Sequence, residues 1–579
     1  MANIMSLKSL RNKTSRNGFD LSTKRNLTAK PGELLPYGHW AVLPGDTFKI
    51  GLKSFTRTQP LNTAAFARIR EYYDFFFVPY DLLWNKSRSV LTQMNDNVQH
   101  AVSLDPTQQG LLSGELPFVT SKSIADYITD LVANSSHAFN YFGYSRGDLS
   151  CKLLEYLGYG DFSYYTLQSW VDGDLTTQPK YNLQYNIFPL LAYQKIYADY
   201  FRDSQWERVS PSTFNVDYMT GVGTQAVSLS DKNFRDNYNF FDLRYCNWQK
   251  DLFHGVLPRQ QYGNTAMVGF SGDVDAYYMT QTPNSSPESN QPFSSTDINI
   301  KFDKDNAAGF SILALRQAEF LQKWKEITMS ANKDYKDQIQ KHWGVSVGDA
   351  YSDLCTYLGG ISSSLDINEV VNNNITESYA ADIAGKGVGV SNGNITFTNP
   401  TNQYGIIMCI YHCLPLIDYT TDLVDPMVTK VNAVDFAIPE FDRVGMQPVP
   451  TAIFSNPVGV LDEYDVPDVL GYAPRYIEYK TGVDYSAGGF KRSLKNWVIS
   501  FDNLSFASQL GQKDLINVPN PAPEYSPYVN YTMFKVNPNC VDPLFAVKAS
   551  DSVDTDQFLC SMFFDIKAVR NLDTDGLPY

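Results

Sequence analysis

Gly143-Tyr144-Ser145-Arg146-Gly147 spells G-x-S-x-G, the spacing that sets a nucleophilic serine on a sharp strand-to-helix turn. That chemistry needs a buried apolar strand before the serine and a helix after it. Leu149 to Leu157 can supply the helix, but Ala133 to Asn140 is too polar for a central strand, so Ser145 is read as part of a tyrosine-rich turn. Cys409, His412 and Cys413 lie close enough in sequence to share a metal ion. If 404–416 is a strand, however, its period of two sends the cysteines to one face and the histidine to the other. They then read as two small buried hydrophobes and a separate histidine. Asp551, Asp554 and Asp556 sit in a polar stretch and read as solvated surface; calcium held between subunits is conceivable chemistry for such acids, but the spacing does not show it. Phosphate-loop, zinc-protease and dinucleotide-binding patterns are missing from the sequence. No catalytic residue, cofactor or metal is expected.

The remaining group is cationic. Residues 1–30 hold Lys8, Arg11, Lys13, Arg16, Lys24, Arg25 and Lys30 against Asp20 alone, seven charges minus one, while the whole chain carries a net charge of -15. Interleaved with Asn, Ser and Thr, these residues read as a basic N-terminal arm that stays mobile until it meets a partner. Lys8, Arg11, Lys13, Arg16, Lys24 and Arg25 are the candidates for neutralising nucleic-acid phosphates without reading sequence. A solubilising tail, or a clamp onto the acidic body of a neighbouring subunit, fits the same residues.

The elements behind these groups are mostly strands. The 579-residue chain is 43% hydrophobic and only 19% charged, and its 38 Tyr, 35 Phe and 8 Trp suit both strand cores and surfaces buried against partners. Thr47 to Phe55 alternates Phe48, Ile50 and Leu52 with Lys49 and Lys53, the pattern of a half-buried strand. Tyr72 to Pro79 is aromatic on both faces, so both must be covered, by a second sheet or by another subunit. Tyr404 to Leu416 is a further apolar strand. Leu190, Tyr193, Tyr197 and Tyr200 recur at helical spacing, as do Leu313, Phe320, Trp324 and Ile327. Stretches rich in Gly, Ser, Asn and Pro at about 261–310 and 366–400 read as long surface excursions, the second with room for short hairpins but no core. Residues 31–579 are thus expected to form a single β-sandwich body whose connections carry most of the chain. Seven widely spaced cysteines argue for synthesis in a reducing compartment, and no signal-like or membrane-spanning apolar run is present, so neither secretion by the usual route nor integral membrane residence is expected. A carbohydrate-binding or carbohydrate-processing β-protein, with aromatics as sugar platforms, is the alternative reading; paired acids at glycosidase spacing cannot be picked out for it.

In order along the chain, several blocks resemble the major capsid proteins of microviruses, small icosahedral bacteriophages with single-stranded DNA, and look closer to the gokushovirus-like and gut-associated branches than to the enterobacterial type. They are Leu43-Pro44-Gly45-Asp46-Thr47-Phe48, Tyr73 to Pro79 with Leu83-Trp84, Asn186 to Tyr193, Tyr200-Phe201-Arg202-Asp203, and Leu243 to Phe253 with Leu257-Pro258. Leu315-Arg316-Gln317-Ala318, His342-Trp343-Gly344-Val345, Tyr357-Leu358-Gly359-Gly360, Pro439-Glu440-Phe441 and Tyr472 to Lys480 complete the set. The resemblance implies a mainly β fold, an eight-stranded antiparallel jelly roll with long loop and helical insertions. It further implies a homo-oligomer of sixty copies in a T=1 shell around circular single-stranded DNA, assembled in a bacterial cytoplasm, with minor virion proteins and a host surface receptor as further partners. One inserted loop, in gokushovirus-like members, projects at the three-fold axes. The family's basic DNA-contact motif is weak here around 244–250, which leaves the N-terminal arm as the DNA candidate.

Overall fold

The computed structural model describes residues 16–92, 116–133, 140–166, 179–207, 209–219, 240–260, 312–330, 334–348, 352–371, 383–399, 402–443, 445–455, 468–502, 505, 531–545 and 556–574. Strands are β1 (Asn17–Asp20), β2 (Thr23–Ala29), β3 (Leu35–Val42), β4 (Thr47–Thr58), β5 (Arg68–Pro79), β6 (Phe118–Thr120), β7 (Gln184–Asn186), β8 (Thr356–Val371), β9 (Ile383–Thr398), β10 (Gly405–Leu416), β11 (Asp418–Tyr419), β12 (Met446–Pro450), β13 (Val469–Pro474), β14 (Ser500–Phe501) and β15 (Phe558–Arg570). The helices used below are α1 (Ser121–Ala133), α2 (Arg146–Tyr156), α3 (Phe188–Ile196), α4 (Ile312–Ser330) and α5 (Tyr335–Trp343).

Nine strands make one antiparallel sheet in the order β1-β15-β4-β9-β8-β5-β10-β3, with β2 also on β15. Leaving aside the four-residue β1, this order is two four-stranded halves, β2-β15-β4-β9 and β3-β10-β5-β8, joined by the β8–β9 hairpin. The halves fold over one another as an eight-stranded jelly roll. Aromatics cross the space between them: Phe75 of β5 meets Phe564 of β15 edge-on at 6.5 Å between ring centres, and Phe77 meets Phe397 of β9 at 5.2 Å. From β3, Trp40 meets Phe564 at 5.1 Å.

Local sequence accounts for these strands. In β4, Phe48, Ile50 and Leu52 are buried while Lys49, Lys53, Phe55 and Arg57 face out. The β3–β4 turn closes with the Asp46 amide donating to the Leu43 carbonyl (3.1 Å) and the Leu43 amide to the Asp46 carboxylate (2.9 Å). Gly45 supplies the left-handed residue there (φ 83°). The two aromatic faces of β5 find different covers. Phe75 and Phe77 face the other half-sheet; Phe76 packs on Tyr200 (4.9 Å) and Phe201 (5.8 Å), in the π turn that follows α3. One cover is the expected second sheet, and the other is an inserted helix of the same chain.

Residues 17–20 and 23–29, expected within the mobile arm, are strands of the sheet, because β15 at the far end of the sequence offers them an edge to pair with. Residues 366–371 and 383–398, expected as part of a surface excursion, belong to two 16-residue strands. The excursion at 261–310 lies outside the described residues. The chain divides into two compact units, Met1–Gln260 with Gly348–Tyr579, and Gln261–Val347. In the second, α4 and α5 are tied by a hydrogen bond between Thr328 Oγ1 and His342 Nε2 (3.1 Å), by Gln338 donating to the Thr328 carbonyl (3.1 Å), and by Trp324 stacked on His342.

Candidate nucleic-acid interface

Pairing of β2, β15, β4 and β9 aligns their outward side chains in rows. Lys24 stands opposite Phe563, Phe563 opposite Lys53, and Lys53 opposite Asn392. The neighbouring rows are Asn26, Ser561, Phe55 and Val390, then Thr28, Leu559, Arg57 and Val388. With strands about 4.8 Å apart, each row is a band of roughly 14 Å. Farther along, Lys567 of β15 faces Lys49 of β4. The outward residues of the four strands thus include Lys24, Lys49, Lys53, Arg57, Lys386 and Lys567, against one carboxylate, Asp565.

The charges are not equally available. Lys567 is held by Asp20 (2.5 Å) and Asp565 (3.4 Å), and with Ser22 it keeps the Asp20 carboxyl down at about 2. Lys24, Lys49, Lys53, Arg57 and Lys386 form no ion pair with any described residue. Five cations without a carboxylate partner among the described residues, gathered on one sheet face of a chain of net charge -15, concentrate positive potential there. Aromatic surface is interleaved with them: Phe55 is 38% and Phe563 42% exposed, and the Arg57 guanidinium lies 4.9 Å above the Phe55 ring centre.

Of the cations expected to meet nucleic acid, Lys24 is on this face. Arg25, next along β2, points inward, half-buried, and donates to the Tyr37 carbonyl (3.2 Å). Arg16 donates to the Gly45 carbonyl (2.5 Å) and to Thr47 Oγ1 (3.4 Å) at the β3–β4 turn. Lys8, Arg11 and Lys13 lie outside the described residues. Lys49, Lys53 and Arg57 were not among the candidates. Their spacing of four along a period-two strand places them on one face, and that was the signal available.

The other chemically suggestive residues have structural partners. Ser145 caps α2, its Oγ accepting the Asp148 amide (3.3 Å). Cys409 and Cys413 are buried in β10, and His412, on the opposite face, stacks on Tyr72 of β5 at 4.9 Å; burial pushes the imidazole down to about 3. Asp251, Tyr419 and His254 form a chain in which the Tyr419 hydroxyl meets the Asp251 carboxylate and His254 Nδ1, both at 2.6 Å, inside a small second core with Phe253, Phe454 and Phe501. Among the described residues no helix is long and apolar enough to cross a membrane.

Comparison with known proteins agrees with the fold. The profile of the family described as capsid protein (F protein) matches residues 8–146 and 163–579. Capsid protein VP1 of Chlamydia phage 1 is 24% identical over 641 aligned positions, covering 97% of this chain and 95% of that protein. Capsid protein VP1 of Bdellovibrio phage phiMH2K is 22% identical over 601 positions, covering 98% and 95%. A jelly roll alone serves many functions, but a family match over nearly the whole chain, on this sheet order, is decisive: the chain belongs to the F-type capsid protein family of bacteriophages.

Proposed function

We propose that this chain is the major shell subunit of a small phage, a structural protein without turnover, and that sixty copies close a T=1 icosahedron around circular single-stranded DNA. In this reading the outward face of β2, β15, β4 and β9 is turned to the genome. The observation that carries it is the set of five cations on that face that have no carboxylate partner among the described residues, in an otherwise acidic chain. Phosphate neutralisation needs such charges free of internal partners, and it asks for no base-specific geometry. Assembly would take place in the bacterial cytoplasm. Loops outside the sandwich are then left to meet minor virion proteins and a host surface receptor.

Expression in a bacterial host, followed by native mass measurement and electron microscopy, tests the shell. Closed particles of uniform size that protect single-stranded DNA from nuclease are expected. An exclusively monomeric species under native extraction would overturn the shell reading. Particles whose enclosed DNA is unaffected by loss of the five cations would overturn the assignment of the face.

A further inference from the structure

A groove of ≈ 920 Å³ opens where β2, β15 and β4 pass the C-terminal end of α2, lined among others by Lys24, Phe55, Arg57, Tyr156 and Leu559. We propose that this groove is a subsite for one unstacked nucleotide, its base against Phe55 and Leu559 and its two flanking phosphates reached by Lys24 and Arg57 from opposite corners, and that it makes the sheet face prefer single strands to duplex. The inference rests on the reading that this face meets nucleic acid, and it adds a specific pocket and a discriminating residue to that reading.

The geometry of the rows creates the trough. Asn26 and Ser561, both short, stand beside Phe55 in one row. The row on one side carries Leu559 and Arg57, and the row on the other carries Phe563 and Lys53. Those flanking rows are four residues apart along β15, about 13 Å at the usual rise. That is room for a base and its sugar over a small polar floor, with apolar walls. Phe55 is 38% and Leu559 41% exposed, so neither is consumed by the core. Arg57 covers part of the Phe55 ring at 4.9 Å and itself offers a planar cation on which a base can stack. A duplex keeps its base faces in its own stack and can use only the charges, whereas an unpaired base has a free face for the ring.

The lining also sets an orientation. Glu155, at the helical edge, disfavours a phosphate there. Its carboxylate is an acceptor for the exocyclic amino group of a cytosine. The Tyr156 hydroxyl is already committed, donating to the Thr28 carbonyl at 2.8 Å, so it fixes the wall instead of reading the base.

The test is binding of a thymidine oligonucleotide and of a duplex of equal length to purified full-length subunits by fluorescence anisotropy. Phe55→Ala should weaken the single strand roughly 5- to 150-fold, the worth of one stacked base, and leave duplex affinity unchanged. Its salt slope should match that of the unmodified protein, because no charge is lost. Phe55→Trp should restore single-strand binding, and its indole fluorescence should be quenched by the oligonucleotide. Equal loss for both ligands, or no loss for either, would overturn the subsite. So would a Phe55→Ala protein that binds both normally but fails to form particles, since the groove would then be a contact between subunits. If neutralising the cations leaves the salt slope untouched, the face itself is wrongly assigned; if it flattens the slope while Phe55→Ala changes nothing, only the subsite fails.

Discussion

Replacing Lys24, Lys49, Lys53 and Arg57 together by glutamine removes four cations that have no carboxylate partner among the described residues. All four point out from the sheet, so none contributes to the sandwich core, and the variant is expected to fold. Each cation that neutralises a phosphate of a single strand contributes about 0.7 to the slope of log affinity against log salt, so the variant should lose ~2.8 of that slope. Between about 50 and 200 mM salt the unmodified protein should therefore weaken ~50-fold more than the variant does. Anisotropy titrations with a thymidine oligonucleotide, repeated across that range, measure the slope directly. Lys567→Gln is the control, because it also removes a positive charge, but one already held by Asp20 and Asp565. If net charge alone governed binding, Lys567→Gln would flatten the slope as much as each of the four does. A quadruple variant with an unaltered slope, or a control that matches it residue for residue, would refute the assignment of this face.

Other consequences concern stability. Asp74 is pushed by burial from 3.8 up to about 6, against the Tyr357 hydroxyl that donates to it at 3.0 Å. A raised carboxyl pKa costs nothing at a pH where both folded and unfolded chains are protonated, and its penalty grows as pH climbs from about 4 through 6, to at most ~3 kcal/mol at 1.36 kcal/mol per unit. Asp74→Asn should therefore raise the melting temperature at pH 7.5 and not at pH 4; an equal shift at both would show that the carboxylate's charge is not the cause. Lys535 is buried, 3.3 Å from the buried Glu207, whose carboxylate also accepts from the Tyr197 hydroxyl. Lys535→Met should cost ~3–5 kcal/mol by leaving that charge unpaired. Adding Glu207→Gln should recover much of the loss in denaturant unfolding. Ser145→Ala removes a helix cap and should cost about 1 kcal/mol, with any nucleic-acid binding unchanged.

Much of the sandwich was legible because its strands carry their own burial pattern. The alternation in β4, the doubly apolar β5 and β10, and the helical spacing of Leu190, Tyr193 and Tyr197 are local signals, and each became the element expected. β2 was not legible. Its sequence, Thr-Lys-Arg-Asn-Leu-Thr-Ala, is polar because an edge strand leaves one side of its backbone and most of its side chains in solvent. What makes it a strand is β15, more than five hundred residues away, and no local pattern reports such a pairing. The basic face was hidden for the same reason. The spacing of Lys49, Lys53 and Arg57 could be seen in β4 alone, but that they share a face with Lys24 and Phe563 follows only from the register.

The misread hairpin shows composition misleading in a different way. Gly385, Gly387 and Gly389 suggested a loop, yet they lie in β9 at positions where the sandwich admits no side chain. A Cβ on Gly387 would come within 2.4 Å of Leu365 Cδ2, and one on Gly389 within 2.5 Å of Glu71 Oε2. Glycine here permits close approach, not chain reversal. Glu71 itself is buried inside the sandwich, held by the Tyr411 hydroxyl at 2.8 Å, and β9 has to pass it without a side chain of its own. The same strand therefore has an inward side of glycines, Gly389 against Glu71 and Gly387 against Leu365, and an outward side that can carry Lys386, Val388 and Val390 toward the basic face. A side chain at Gly389 would crowd the Glu71 carboxylate of β5 in the opposite half, on the strand whose next residue, Val390, stands beside Phe55. The glycines on the inward side and the basic rows on the outward side of the sandwich thus share one register, β4 against β9.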